Sequence, residues 1–232
     1  MMVAMKIGLP AVLLFALTCL ATAQEKPERA MNLGYTTSQI VAMGETKFGE
    51  LFDKKFGSST AAMIDMEISY AWAVEVESNK LLAKQPDAKK QVFVAAKKDM
   101  QKAGEHSSQI QAAFSGGGTM YNIFWVASKT RAEVTIFNIL KGKKDKTATA
   151  SAVESKYLRV KALVEKNAES LKENEAMSNI TYSEVQTMLA EMHAASSRTA
   201  TAVKGLSSSQ QGAIMKVFYD AFDNILIENT GV

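Results

Sequence analysis

Met188, Met192 and His193 are spaced so that two thioethers and an imidazole lie on or beside one helical face, a donor set that suits Cu(I). Met63 and Met66 form a second, smaller pair. Methionine is also an ordinary filler of helix cores, and no Met-x-Met or His-x-Met cluster recurs, so core packing is the first expectation and copper the alternative. A di-iron bundle would need glutamate three positions before each histidine, where Ala103 precedes His106 and Ala190 precedes His193. No cofactor is expected.

Carboxylates could serve a cell-wall-directed hydrolase if two of them converged across a cleft, and Glu67, Glu75, Glu77, Glu154 and Glu169 are the candidates. Carboxylates on helices more often form a wet face, and the Gly-Leu-Met-Gln-type sequence of lytic transglycosylases is absent. Gly-x-Ser-x-Gly is absent too, with no strand to carry a serine nucleophile. Gly116-Gly117-Gly118 could bare backbone N–H groups to an anion at a helix start. It lacks the Lys-Ser/Thr of a nucleotide loop and reads as a turn. Catalysis is therefore not the leading expectation.

Tyr70 and Trp72, with Tyr121, Phe124 and Trp125, are the residues best suited to face a ligand, since each tyrosine or tryptophan joins an apolar body to a polar tip. The plainer expectation is that they are the wide end of a core. Lys141-Gly142-Lys143-Lys144-Asp145-Lys146 reads first as a solvated loop whose lysines offset the negative end of the preceding helix. Its alternative reading is a small anion-docking or surface-contact patch.

The elements that must position these residues are helices. After residue 24 only Pro27 and Pro86 interrupt a chain rich in alanine, lysine, glutamate, glutamine and methionine. Phe93, Ala96, Met100, Ala103, Ser107, Ile110 and Phe114 follow one another at alternating steps of three and four, a core-facing seam. Val153, Tyr157, Val160, Val164, Asn167 and Leu171 repeat the pattern, as do Val185, Leu189, Met192, Ser196, Thr199, Val203 and Leu206. The spacing predicts helices over 37–56, 60–84, 87–114, 119–141, 150–174, 183–204 and 208–228. The fold class is all-α, an antiparallel bundle of about six to seven long helices. Val134-Thr135-Ile136-Phe137 would suit a strand alone, but its flanks place it in a helix. Gly57 and Gly205 read as helix ends, Asp87 as a cap, and Ser207-x-x-Gln210 as a capping box.

Leu206-Ser207-Ser208-Ser209-Gln210 also resembles the Leu-Thr-x-x-Gln motif of small periplasmic stress chaperones, with serine in place of threonine and five residues matched. The resemblance implies a chaperone-like or binding role; a capping box demands the same letters.

The compartment follows from Lys6, the apolar run Ile7 to Leu20 and Ala21-Thr22-Ala23, which together read as a signal peptide cleaved after residue 23. The apolar run is too short for a retained anchor, and no second transmembrane segment is expected. Cys19 is the single cysteine and leaves with the leader; Ala16 and Thr18 stand where a lipobox would want leucine and a small residue. The product is expected to be periplasmic or secreted. Residues 24–36 read as a flexible or partly docked arm, and 37–232 as a single bundle domain with possible sub-bundles at 37–141 and 147–232. Loss of Lys6 leaves 26 basic against 24 acidic side chains, too even a balance for nucleic acid. The expected partner is a protein, an envelope component or an apolar ligand, and an oligomer is compatible with this. Asn179-Ile180-Thr181 is a glycosylation acceptor in a eukaryotic host alone. Together these readings describe an exported, non-enzymatic binding, chaperone-like or structural module, with copper binding and cell-wall hydrolysis as the alternatives.

Overall fold

The computed structural model describes residues 27–117 and 121–230, so the expected leader, residues 1–23, lies outside it. Its helices are α1 (Glu28–Leu33), α2 (Thr37–Met43), α3 (Glu45–Phe56), α4 (Thr60–Leu82), α5 (Asp87–Ser115), α6 (Tyr121–Leu140), α7 (Ala150–Lys166), α8 (Ala168–Ser178), α9 (Tyr182–Ala202) and α10 (Ser208–Thr230), with a turn of 3-10 helix at Val203–Gly205. No strand occurs among the described residues. The fold is all-α, with long helices packed as a bundle.

The three seams face inward. Phe93, Ala96, Met100, Ala103, Ser107 and Ile110 are buried along α5, Val153, Val160, Val164 and Leu171 along α7 and α8, and Val185, Leu189, Met192, Ser196 and Thr199 along α9. Val134 to Phe137 lie within α6, because the surrounding helix buries Ile136 and Phe137 on different sides. Within the expected arm, residues 28–33 form α1, tied down by Arg29 to Asp65 at 3.0 Å and by Lys55 Nζ donating to the Asn32 carbonyl at 2.7 Å.

Two expected helices divide and one cap moves by a residue, each for a local reason. The helix expected over 37–56 divides at Gly44, whose φ of 81° turns the chain, while Thr36 and Gln39 form a capping box that starts α2. The helix expected over 150–174 divides at Asn167, whose side chain donates to the Leu163 carbonyl at 2.8 Å in competition with the backbone ladder. Its continuation, α8, reaches Ser178. Asp87 is the first helical residue of α5 rather than its cap; Pro86 holds the cap position and Asp87 offsets the helix's positive end.

Side-chain pairs fix the directions. α5 runs antiparallel to α9, since Asp99 meets Arg198 and Thr199 while His106 meets Glu191. It also runs antiparallel to α6, with Gln101 bonded to Glu133, and Ser107 reaches the Ala221 carbonyl of α10. α4 and α6 run parallel: Thr130 meets Glu67 in their first halves, and Phe137 lies beside Leu81 near their ends. The larger apolar core unites α5 to α10 around Phe93, Met100, Ile136, Met192, Phe218 and Phe222. The smaller one joins α2, α3, α4 and Phe137 of α6 around Phe48, Phe52, Tyr70 and Trp72.

Candidate anion-binding pocket

Because α4 and α6 are parallel, their C-terminal ends lie side by side, and each end carries lysines. Lys80 stands in the last turn of α4, Lys84 follows it, and Lys141 and Lys143 leave α6. All four line one cavity of about 500 Å³, whose floor is Val41 of α2, Leu81 of α4 and Phe137 of α6. Ser38 adds a hydroxyl to its wall. The return of Lys143 over the helix end is set by the backbone: Gly142 adopts φ 72°, its N–H bonds the Ile139 carbonyl at 3.0 Å, and the Lys143 N–H bonds the Asn138 carbonyl at 2.9 Å. Lys141 Nζ lies 5.7 Å from the centre of the Phe137 ring.

Glu77 is the acidic residue on the pocket wall. Its Oε1 accepts from Thr37 Oγ1 at 2.5 Å and from Lys80 Nζ at 2.7 Å, so it also fastens α2 onto α4. Burial is the largest single influence and pushes its carboxyl up, but the bonds from Lys80 and Thr37 and the charges of Lys80 and Lys141 together outweigh it and hold the group below the usual carboxylate range. The charge balance decides whether the lysines merely serve the helix ends. Two C-termini supply roughly half a negative charge each, and Glu77 supplies one more. Four lysines therefore leave a surplus of about two positive charges among the residues that line the cavity, more than dipole compensation requires.

A second cavity, of about 710 Å³, lies between residues 147–152, the end of α9 and the start of α10. Small neutral side chains such as Ala148, Ala152, Ala200 and Gly212 dominate its wall, and its lysine, Lys216, is held by Asp220. It offers space without a comparable charge.

The residues singled out from sequence are distributed differently. Tyr70 and Trp72 are buried in the smaller core. Tyr121, Phe124 and Trp125 fall in the first turns of α6, and their side chains lie outside the described part of the structure. Met192 is fully enclosed in the larger core, with Met188 packed at its edge. His193 faces α7 instead: its Nε2 is 2.6 Å from Glu154, and its ring stacks on Tyr157 at 3.8 Å. Among the described residues, no group of three or more histidines, cysteines, aspartates or glutamates is arranged to hold a metal.

The candidate carboxylates are each engaged. Glu67 bonds Thr130 at 3.1 Å, and burial, reinforced by the nearby charge of Glu45, raises its carboxyl to about 7. Burial, again with Glu45, also pushes the Tyr70 hydroxyl up. Glu75 lies 3.8 Å from Lys97, which also pairs with Glu133, and Glu169 bonds Lys172 on the surface. Lys80, Lys84, Val41 and Leu81 went unnoticed in the sequence. Of the four lysines, the sequence marks Lys141 and Lys143, which share a run.

Fold and pocket together define an all-α bundle with a cationic, apolar-floored cavity where two parallel helices end. No protein-family model, curated protein or solved structure matches the chain. Among the described residues, no helix is long and apolar enough to cross a membrane.

Proposed function

We propose that the chain is an exported, non-enzymatic binding module that takes an anionic ligand between Lys80, Lys84, Lys141 and Lys143. The observation that carries this reading is the surplus of positive charge that four lysines from two helix ends bring to the lining of one cavity. The basic and apolar leader pattern before Gln24 supports export.

Isothermal titration of the chain, both full-length and beginning at Gln24, with inorganic phosphate and pyrophosphate tests the reading. Binding should weaken at least tenfold on Lys141→Glu with Lys143→Glu, and should weaken with added salt. The control Lys161→Glu alters charge on α7, where Lys161 lies 3.9 Å from Glu165, and should leave binding within about twofold. No binding of either anion, or equal binding by the double variant, overturns the proposal.

A further inference from the structure

The cavity's two halves differ in chemistry. The four lysines that line it are exposed, whereas Val41 and Leu81 are half-buried and Phe137 is buried, and these three continue into the smaller core. Apolar surface therefore borders the cavity instead of being sealed beneath it. A compact anion would engage the lysines and leave that floor wet. Lysine stems are apolar along their length, which extends the greasy surface up to the charged rim.

From this gradient we infer that the pocket's ligand is a single-chain anionic amphiphile, its phosphate or carboxylate head among the four lysines and its hydrocarbon tail on the Val41, Leu81 and Phe137 floor. This rests on the anion-binding reading and names the ligand class. The head's charge matches the local surplus of about two for a phosphate monoester, and burial of the tail against the floor supplies affinity that a bare anion cannot reach. A cavity of about 500 Å³ takes one such molecule rather than a bilayer surface. The tail would lie beside α2, between Val41 and the ends of α4 and α6; α2 is a seven-residue helix held on α4 by the Thr37–Glu77 bond and by buried Ile40.

Calorimetric titration of the full chain with dodecyl phosphate, kept below its micelle concentration, is compared with inorganic phosphate and with uncharged dodecyl maltoside. Dodecyl phosphate should bind at least about tenfold tighter than inorganic phosphate. Val41→Ser should erase most of that advantage, read as the ratio of dodecyl phosphate to inorganic phosphate affinity on the same variant, with circular dichroism confirming the fold; Leu81→Ser is a second, independent removal of floor. Equal affinity for dodecyl phosphate and inorganic phosphate overturns the amphiphile and leaves the anion reading standing. Equal affinity for dodecyl maltoside, insensitive to Lys141→Glu with Lys143→Glu, overturns the headgroup assignment. Sedimentation with phosphatidylglycerol vesicles in the absence of any dodecyl phosphate binding overturns the single-molecule site in favour of a membrane surface. If neither anion binds at all, both readings fail together.

Discussion

Glu67 shows how a single carboxylate can make the stability of this bundle depend on pH. Burial and the neighbouring Glu45 raise it to about 7, so the native state holds a proton that the unfolded chain releases near the ordinary value of 4.5. Between pH 4.5 and 7 the folded form binds more protons, and its stability must fall as pH rises through that window. Glu67→Gln keeps the shape and removes the titration. At pH 8 the variant should melt a few degrees above the parent chain, at roughly 2–4 °C per kcal/mol for a chain of this size, and at pH 4 the two should nearly coincide. Thermal melts at both pH values check this; a difference that is the same at each would sink it. Glu133 presents a different problem. It is fully enclosed, Lys97 Nζ and Gln101 Nε2 both reach its Oε1, and its Oε2 has no hydrogen-bond partner. Burial pushes its carboxyl up while Lys97 pulls it down. Lys97→Met should therefore cost about 3–5 kcal/mol by stranding the carboxylate, and adding Glu133→Leu should recover most of that loss. Urea unfolding of the two singles and the double closes the cycle, and simple additivity would show that the pair is not coupled.

At the level of the helix, the Leu206 to Gln210 segment has a structural duty that its resemblance to a chaperone motif does not require. Ser207 Oγ accepts from the Gln210 N–H at 3.3 Å, and Gln210 Oε1 accepts from the Ser207 N–H at 3.1 Å, a reciprocal cap on α10. Ser207→Ala should cost about 1 kcal/mol. A melting temperature unchanged by the substitution, with loss of aggregation suppression toward a denatured test protein, would instead favour the chaperone reading. This cap was legible because its letters and its geometry are local, as were the α5 and α9 seams, whose periodicity reports directly on burial. The breaks at Gly44 and Asn167 were harder to read. One glycine in a long helical stretch is tolerated in many contexts, and Asn167 occupies a seam position while its side chain competes for the Leu163 carbonyl. The pocket was half legible. Lys141 and Lys143 announce themselves as a run, but Lys80 and Lys84 join them only because α4 and α6 are parallel, a tertiary fact that no spacing within either helix encodes.

For the molecule as a whole, α6 decides whether the two apolar cores behave as one. It contributes Ala132, Ile136 and Ile139 to the larger cluster and Phe137 to the smaller, and α4 in turn sends Leu82 into the larger. Unravelling α2 to α4 would expose one face of α6, and the Lys97 link to Glu75 between α5 and α4 would be lost with it. The smaller cluster alone has few large side chains, chiefly Phe48, Phe52, Tyr70 and Trp72, to offset the chain entropy of three helices, so it should borrow its stability from α6. One cooperative transition is therefore expected, with calorimetric and van't Hoff enthalpies equal. Phe52→Ala, in the smaller cluster and remote from α10, should lower that same transition by about 3–5 kcal/mol rather than split it. By the same coupling, an anion held between the ends of α4 and α6 should raise the melting of the entire bundle in proportion to RT ln(1 + [L]/Kd). Differential scanning calorimetry reads all three outcomes; a separate early peak for the α2 to α4 region, alone responsive to Phe52→Ala and to phosphate, would show that the cores melt independently.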